Sequence, residues 1–298
     1  MIAGTGGVGG YYGARLAARG HDVWFLSRGP TLDALRRGGL EVRSDLGDVQ
    51  LPSVHATNSA AEAGPVDAVL FCVKMYDNPS ASDAIAPAVA PGTSITSLQN
   101  GVESEQFLSS RFPQAVELGG AARIEAWREE PGVIVQRGPQ TALTVGAFRS
   151  EDRPAAEALT GAFRGTGVPF KLSEDIRSNL WNKLMSICGA GGVTAYCRCP
   201  MGAVLSDGRL HELIASVMVE VASVGGAEGM AFPADAAQGR LRYFRERLDP
   251  GFKSSMCRDV EAGRPLEVAE VELPEGPPDT LTVMSSWRLP PGRSASSG

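Results

Sequence analysis

The pattern of apolar and polar positions changes rhythm at about residue 172. Before it, short apolar runs alternate with stretches of helical spacing; beyond it, helical spacing takes over. Tyr11 to Arg19 reads as a helix stopped by Gly20, a residue suited to a helix C-terminus. Asp22 to Ser27 follows as a strand, Thr31 to Arg37 as a short helix, and Leu40 to Arg43 and Val49 to Val54 as strands. Val66 to Val73 is the unbroken apolar run of a strand buried on both faces, and it leads into Lys74. Ser94 to Leu98 reads as another strand. Gly132 to Gln136 and Thr141 to Gly146 form two β-rich segments separated by Arg137-Gly138-Pro139, and Val168 to Leu172 is the last strand. Strands alternating with helices predict an α/β domain over residues 1–172, with a Rossmann-type, doubly wound parallel sheet.

From Ser173 onward the spacing predicts an all-helical domain over residues 173–269. Leu180, Leu184, Ile187 and Cys188 share one helix face, with Glu174 and Asp175 in the first turn, where the helix dipole favours acids. Leu210, Ile214, Val217, Met218, Val221 and Val224 form a longer stripe ended by Gly225-Gly226, and Gln238 to Arg247 is a basic helix. Residues 270–298 carry Pro274, Pro277, Pro278, Pro290 and Pro291, which predicts an irregular or disordered tail.

Composition narrows the function classes. Of the 298 residues, 43% are hydrophobic and 21% charged, enough for two ordinary domain cores. The net charge of −6 argues against a sequence-independent grip on nucleic acid. The apolar runs are read as too short to span a membrane, and the start lacks a secretory pattern, so a cytoplasmic protein is expected. Five cysteines and three histidines give no zinc-like spacing, since Cys197-Arg198-Cys199 is too tight. The cysteines are read as reduced thiols, and no metal site is expected.

The chemistry gathers at the start. Gly4-Thr5-Gly6-Gly7-Val8-Gly9 is a G-x-G-x-x-G between a strand and a helix, the arrangement that lets backbone approach a pyrophosphate and rest it on helix amides. An acid after the second strand would bind a ribose 2′-hydroxyl; here the chain has Arg28, which suits the 2′-phosphate of NADP. Only Met1, Ile2 and Ala3 precede Gly4. Such a strand is shorter than the usual five or six residues, so either the natural start lies upstream or the sheet is weakened beside the cofactor.

Three more strings join the glycine loop in order: Gln99-Asn100-Gly101, Leu180-Trp181-Asn182-Lys183-Leu184, and Ser254-Ser255-Met256-Cys257-Arg258-Asp259 with Gly263-Arg264-Pro265-Leu266-Glu267. Together they resemble the ketopantoate reductase (2-dehydropantoate 2-reductase) family. The resemblance implies that Gly4, Gly6, Gly7, Val8 and Gly9 cradle NADPH, with Arg28 on the 2′-phosphate and Lys74 near the cofactor. It implies that Asn100 lies by the nicotinamide and substrate, Lys183 is the catalytic lysine, Ser255 holds the substrate carboxylate, and Glu267 supports the site. The implied reaction is reduction of a small-molecule 2-oxo acid, ketopantoate to pantoate, in pantothenate biosynthesis. The helical half is then expected to bind substrate, and a homodimer is compatible with it.

Each residue also has a plainer use. Lys183 alone would be a solvated lysine, Asn100 a turn former, Arg28 a loop arginine, Glu267 a surface acid, and Ser254 and Ser255 helix caps. The family's asparagines four and eight residues after the lysine are replaced by Ile187 and Gly191, which favours a less polar 2-oxo acid as an alternative substrate. A non-catalytic NADPH-binding protein is the remaining reading.

Overall fold

The structure, a computed structural model, describes residues 1–267, and the proline-rich segment 270–298 lies outside them. The chain divides into two compact units between Leu180 and Trp181. The sequence pattern places its boundary earlier, at Leu172–Ser173; the division falls inside a helix because Ile176 and Leu180 still pack with Ala121, Val102 and Phe148 of the first unit.

The first unit begins β1 Ile2–Ala3, α1 Gly7–Ala18, β2 Trp24–Leu26, α2 Gly29–Gly38, β3 Leu40–Ser44, β4 Val49–Leu51, β5 His55–Thr57. It continues β6 Ala68–Phe71, α3 Asn78–Ile85, β7 Ser94–Ser97, α4 Ser104–Arg111, β8 Val116–Glu130, β9 Val133–Ala147, α5 Arg153–Ala162, β10 Phe170–Leu172. The strands form one sheet in the order β4-β3-β9-β8-β7-β6-β1-β2-β5, with β10 also on β9. From β5 to β8 every pairing is parallel. The α/β expectation holds, with two antiparallel pairings added at β8–β9 and β3–β4.

The first strand is short, as the sequence predicts, with two residues, Ile2 and Ala3. Two residues suffice because β1 is central: Ile2 and Ala3 pair with Phe25 and Leu26 on one side and Leu70 and Phe71 on the other. Ile2, Phe25, Val69 and Phe71 are all fully enclosed, and burial of such side chains contributes about 1.5–3 kcal/mol each. These pairings and this burial hold β1 between its two neighbours.

A long strand also escaped the sequence pattern. β8 reads as Leu-Gly-Gly-Ala-Ala over 118–122, with little of the usual β signature. Its glycines serve packing: a Cβ on Gly120 would sit 2.5 Å from Leu98, and one on Gly119 2.6 Å from Ile176. The two segments read around Pro139 are one strand, β9. A register shift between Ile124 and Glu125 lets the chain around Pro139 bulge out of the ladder, which is where a strand tolerates proline.

The second unit continues α6 Ile176–Ser186 into a π-helical segment Ile187–Gly192, then α7 Val193–Cys197, α8 Met201–Ser206, α9 Gly208–Ala227, α10 Ala236–Arg247 and α11 Ser255–Glu261. α9 is a further correction, since by length and composition it could cross a membrane, with mean hydropathy 1.3. Its stripe of Ile214, Val217, Met218 and Val221 is fully buried, and Glu212 and Glu220 lie on the same helix, as suits a core helix.

Candidate active site

The cofactor-binding candidates of the first unit are placed by four adjacent strands. Ala3, Leu26, Phe71 and Ser97 are in register across β2, β1, β6 and β7. The residues that follow them leave the same carboxyl edge: the glycine loop after β1, Arg28 after β2, Lys74 after β6 and Asn100 after β7. Four strands at ordinary spacing span about 14 Å from the first to the last. Chain order reverses at β1, with β2 on one side and β6 on the other, and open α/β sheets bind ligands in that crevice.

The loop itself is shaped for a phosphate. Gly4 has φ +94, a conformation costly for any side chain, and a Cβ there would lie 2.8 Å from Val73. A Cβ on Gly6 would instead meet nothing within 4 Å, so the backbone of that residue faces open space. Gly6 is the N-cap of α1, with no side-chain cap; Gly7 and Val8 open the helix and no acid lies in its first turn. Amides and helix dipole are thus left for an anion. Thr5 and Ser27 share a hydroxyl hydrogen bond of 2.6 Å that ties the loop to the end of β2.

Arg28 is 74% exposed and donates to Asp77 at 2.7 Å. An exposed pair of this kind holds less than about 1 kcal/mol, so the guanidinium can exchange Asp77 for a doubly charged phosphate. These features fit NADP: an open pyrophosphate cradle and a basic residue, not an acid, closing β2. Lys74 is half-buried and starts the turn before α3. Gln99 holds that turn, donating from Nε2 to the Val73 carbonyl at 2.9 Å and to Asn78 Oδ1 at 2.7 Å. The neighbouring Asn100 is half-buried, and its amide makes no hydrogen bond among the described residues.

The remaining candidates belong to the second unit. Lys183 lies on α6 and is only 9% exposed. Lysines are almost never buried without a partner or a task, which counts against a solvated helix face. Glu267 is also 9% exposed, not a surface acid. Ser254 and Ser255 divide the two roles read for them. Ser254 is buried, accepts from Cys257 N at 3.0 Å as the N-cap of α11, and bonds Thr194 Oγ1 at 2.9 Å and the Gly191 carbonyl at 3.2 Å. Ser255, the first residue of α11, is exposed. Asp259 fixes Arg264 at 2.7 Å, so that pair braces the chain leading to Glu267.

Ile187 and Gly191 fall in the π-helical segment, where a Cβ on the intervening Gly189 would lie 2.6 Å from Met218. The glycines let α9 approach, and π segments recur at functional sites. Three residues were not singled out from sequence. Gln99 could have been found beside Asn100, but Asp77 and Glu220 had no local signal. Both carboxyl oxygens of Glu220 are enclosed without a hydrogen-bond partner among the described residues, and burial pushes its carboxyl above the usual range.

Known proteins show which family this chain is similar to. Residues 1–150 match the family described as ketopantoate reductase PanE/ApbA, and residues 175–271 match its C-terminal domain. A 2-dehydropantoate 2-reductase of Mesorhizobium japonicum is 29% identical, covering 90% of this chain and 87% of the relative. The crystal structure of 2-dehydropantoate 2-reductase from Geobacter metallireducens GS-15 superposes with a TM-score of 0.84 at 32% identity, over 91% of this chain and 89% of that one. A D-mandelate dehydrogenase solved with NADH and anilino(oxo)acetate shares the fold at 18% identity, with a TM-score of 0.82 over 91% and 88% of the two chains. The chain therefore belongs to the ketopantoate reductase family of NADP-dependent oxidoreductases.

Proposed function

We infer that the protein reduces a 2-oxo acid with NADPH, and that its substrate is ketopantoate, yielding pantoate. The observation that carries this reading is the run of four strand ends, which offers the open glycine cradle, Arg28, Lys74 and Asn100 along one sheet edge. When bound, NADPH supplies the hydride. Arg28 and the loop amides of Gly6 and Gly7 hold the phosphates, and Lys74 adds positive charge beside them. Asn100 orients the reacting groups through its side-chain amide. The Lys183 ammonium stabilises negative charge growing on the ketone oxygen and gives that oxygen its proton. Ser255 donates its hydroxyl to the substrate carboxylate without neutralising the lysine. Glu267 supports the site.

A second reading keeps the reaction and changes the substrate. Ile187 and Gly191 stand where two amides would meet a polar substrate, and each unmade polar contact costs about 1–3 kcal/mol. A 2-oxo acid with an apolar substituent loses nothing there. NADPH oxidation followed by absorbance, with ketopantoate and phenylglyoxylate compared by kcat/KM, separates the two. Preference for ketopantoate supports the first reading, preference for phenylglyoxylate the second. Tight NADPH binding without oxidation by any 2-oxo acid contradicts both.

A further inference from the structure

The glycine run at the start of the chain holds one glycine more than a pyrophosphate requires. Gly4, Gly6 and Gly9 fill the three fixed positions of the G-x-G-x-x-G, and Gly7 stands at a position open to other residues. The structure gives Gly7 a separate reason. A Cβ there would lie 2.3 Å from the Ala126 carbonyl oxygen and 2.7 Å from the Trp127 Cα, so the backbone of β8 lies directly against the start of α1. The same hairpin rests on Gly10, where a Cβ would lie 2.6 Å from Ile134. At its tip a Cβ on Gly132 would lie 3.3 Å from the Ala34 Cβ of α2. The outer end of the β8–β9 hairpin thus reaches from the glycine loop to α2.

Arg128 follows Trp127 on this stretch. Its side chain is exposed and donates from Nη1 to Thr31 Oγ1 at 2.8 Å, while Thr31 itself is buried. Arg28 is the N-cap of α2 and Thr31 its third helical residue. Those two positions face each other across the first turn, as in a capping box, so Arg128 is anchored on the same turn as Arg28. The acids beside Arg128 in sequence leave its charge alone: Glu129 pairs with Arg43 at 2.7 Å. Among the described residues Arg128 makes no ion pair, and no hydrogen bond beyond that to Thr31. A guanidinium carries five N–H donors, and a neutral hydroxyl occupies one of them and cancels no charge. The first turn of α2 holds no acid either. Two guanidiniums therefore stand at one helical turn, with Asp77 the one carboxylate bound to either among the described residues.

We propose that Arg128 is a second guanidinium for the 2′-phosphate of NADP and so a determinant of nucleotide choice, a role that rests on the reading of Arg28 as the 2′-phosphate contact. A phosphate monoester carries close to two negative charges at neutral pH and three acceptor oxygens, more than one planar fork can satisfy. Thr31 holds the Arg128 head through one donor and leaves the others for the anion. Held in this way in the free protein, the side chain loses less freedom when the nucleotide binds. Because β8 also rests on Gly7, one stretch of backbone fixes Arg128 relative to the pyrophosphate loop.

Calorimetry on the full chain tests this with adenosine 2′,5′-bisphosphate and adenosine 5′-monophosphate, which differ by the 2′-phosphate alone. Arg128→Ala is expected to weaken the bisphosphate about tenfold and the monophosphate less than about twofold. Arg128→Gln keeps a head that can donate to Thr31 but carries no charge, so it should lose as much as Arg128→Ala. Arg28→Ala is measured beside them and should also lose the preference for the bisphosphate. If Arg28→Ala alone loses it, the role of Arg128 is overturned and that of Arg28 stands. An Arg28→Ala variant that keeps the preference overturns the reading on which the proposal rests. Equal weakening of both ligands by Arg128→Ala, or full recovery in Arg128→Gln, would make the residue a brace for the hairpin and overturn the proposal.

Discussion

At the scale of single residues, charge decides cofactor choice. Arg28 is held only by an exposed pair with Asp77, so its guanidinium is available to a 2′-phosphate. Arg28→Ala should raise the NADPH Kd about 10- to 100-fold, the worth of a charge-assisted contact, and leave NADH nearly unchanged. Titration of both nucleotides checks this; an equal loss for both would remove Arg28 from phosphate recognition. Asn100 should behave differently. Among the described residues its side-chain amide makes no hydrogen bond, so Asn100→Ala should keep the melting temperature while kcat/KM falls about tenfold. Both residues were legible in the sequence because each follows an apolar run that had to end at the carboxyl edge. Asp77 and Gln99 were not, because their roles exist only once β6 and β7 lie side by side.

At the scale of elements, caps and strand edges carry the predictions. Ser254 caps α11 and binds Thr194 and the Gly191 carbonyl, so Ser254→Ala should cost about 1–2 kcal/mol in denaturant unfolding. Ser255→Ala, at an exposed position, should cost almost none and should raise KM for the 2-oxo acid instead. β8 holds a pH-sensitive group. Burial, then the charge of Glu105, pushes the Glu117 carboxyl up to about 7, against partial relief from Ser109, Arg177 and Arg149. Below its ordinary value of 4.5 the carboxyl is protonated folded or unfolded, and it costs nothing. As pH rises from there to about 7, only the unfolded chain gives up the proton, and stability falls; above 7 the cost is constant. Glu117→Gln should therefore match the wild type at pH 4 and exceed it by about 1–2 kcal/mol at pH 8, allowing for screening of a partly exposed group. Equal stabilities at pH 8 would contradict that burial. β8 itself was invisible to the pattern, since its glycines and alanines answer to Leu98 and Ile176 and not to strand propensity.

At the scale of the whole chain, periodicity was enough to separate a sheet-forming part from a helical one. The strand–helix alternation and the long apolar stripe on α9 both report faces that must be covered, and such faces repeat at the period of their element. The division at Leu180 was not legible, because α6 runs through it and its sequence has no break. The substrate is the other unread quantity: Ile187 and Gly191 lie in a π-helical segment whose form spacing alone does not convey. The central claim is that the buried ammonium of Lys183 stabilises and protonates an oxygen as it becomes anionic. Its most direct test is kcat for the preferred 2-oxo acid in Lys183→Ala, measured beside the Kd for NADPH. The account predicts a fall in kcat of about 10²- to 10⁴-fold with nucleotide affinity within a factor of about two. Turnover that survives the loss of the amine would contradict it.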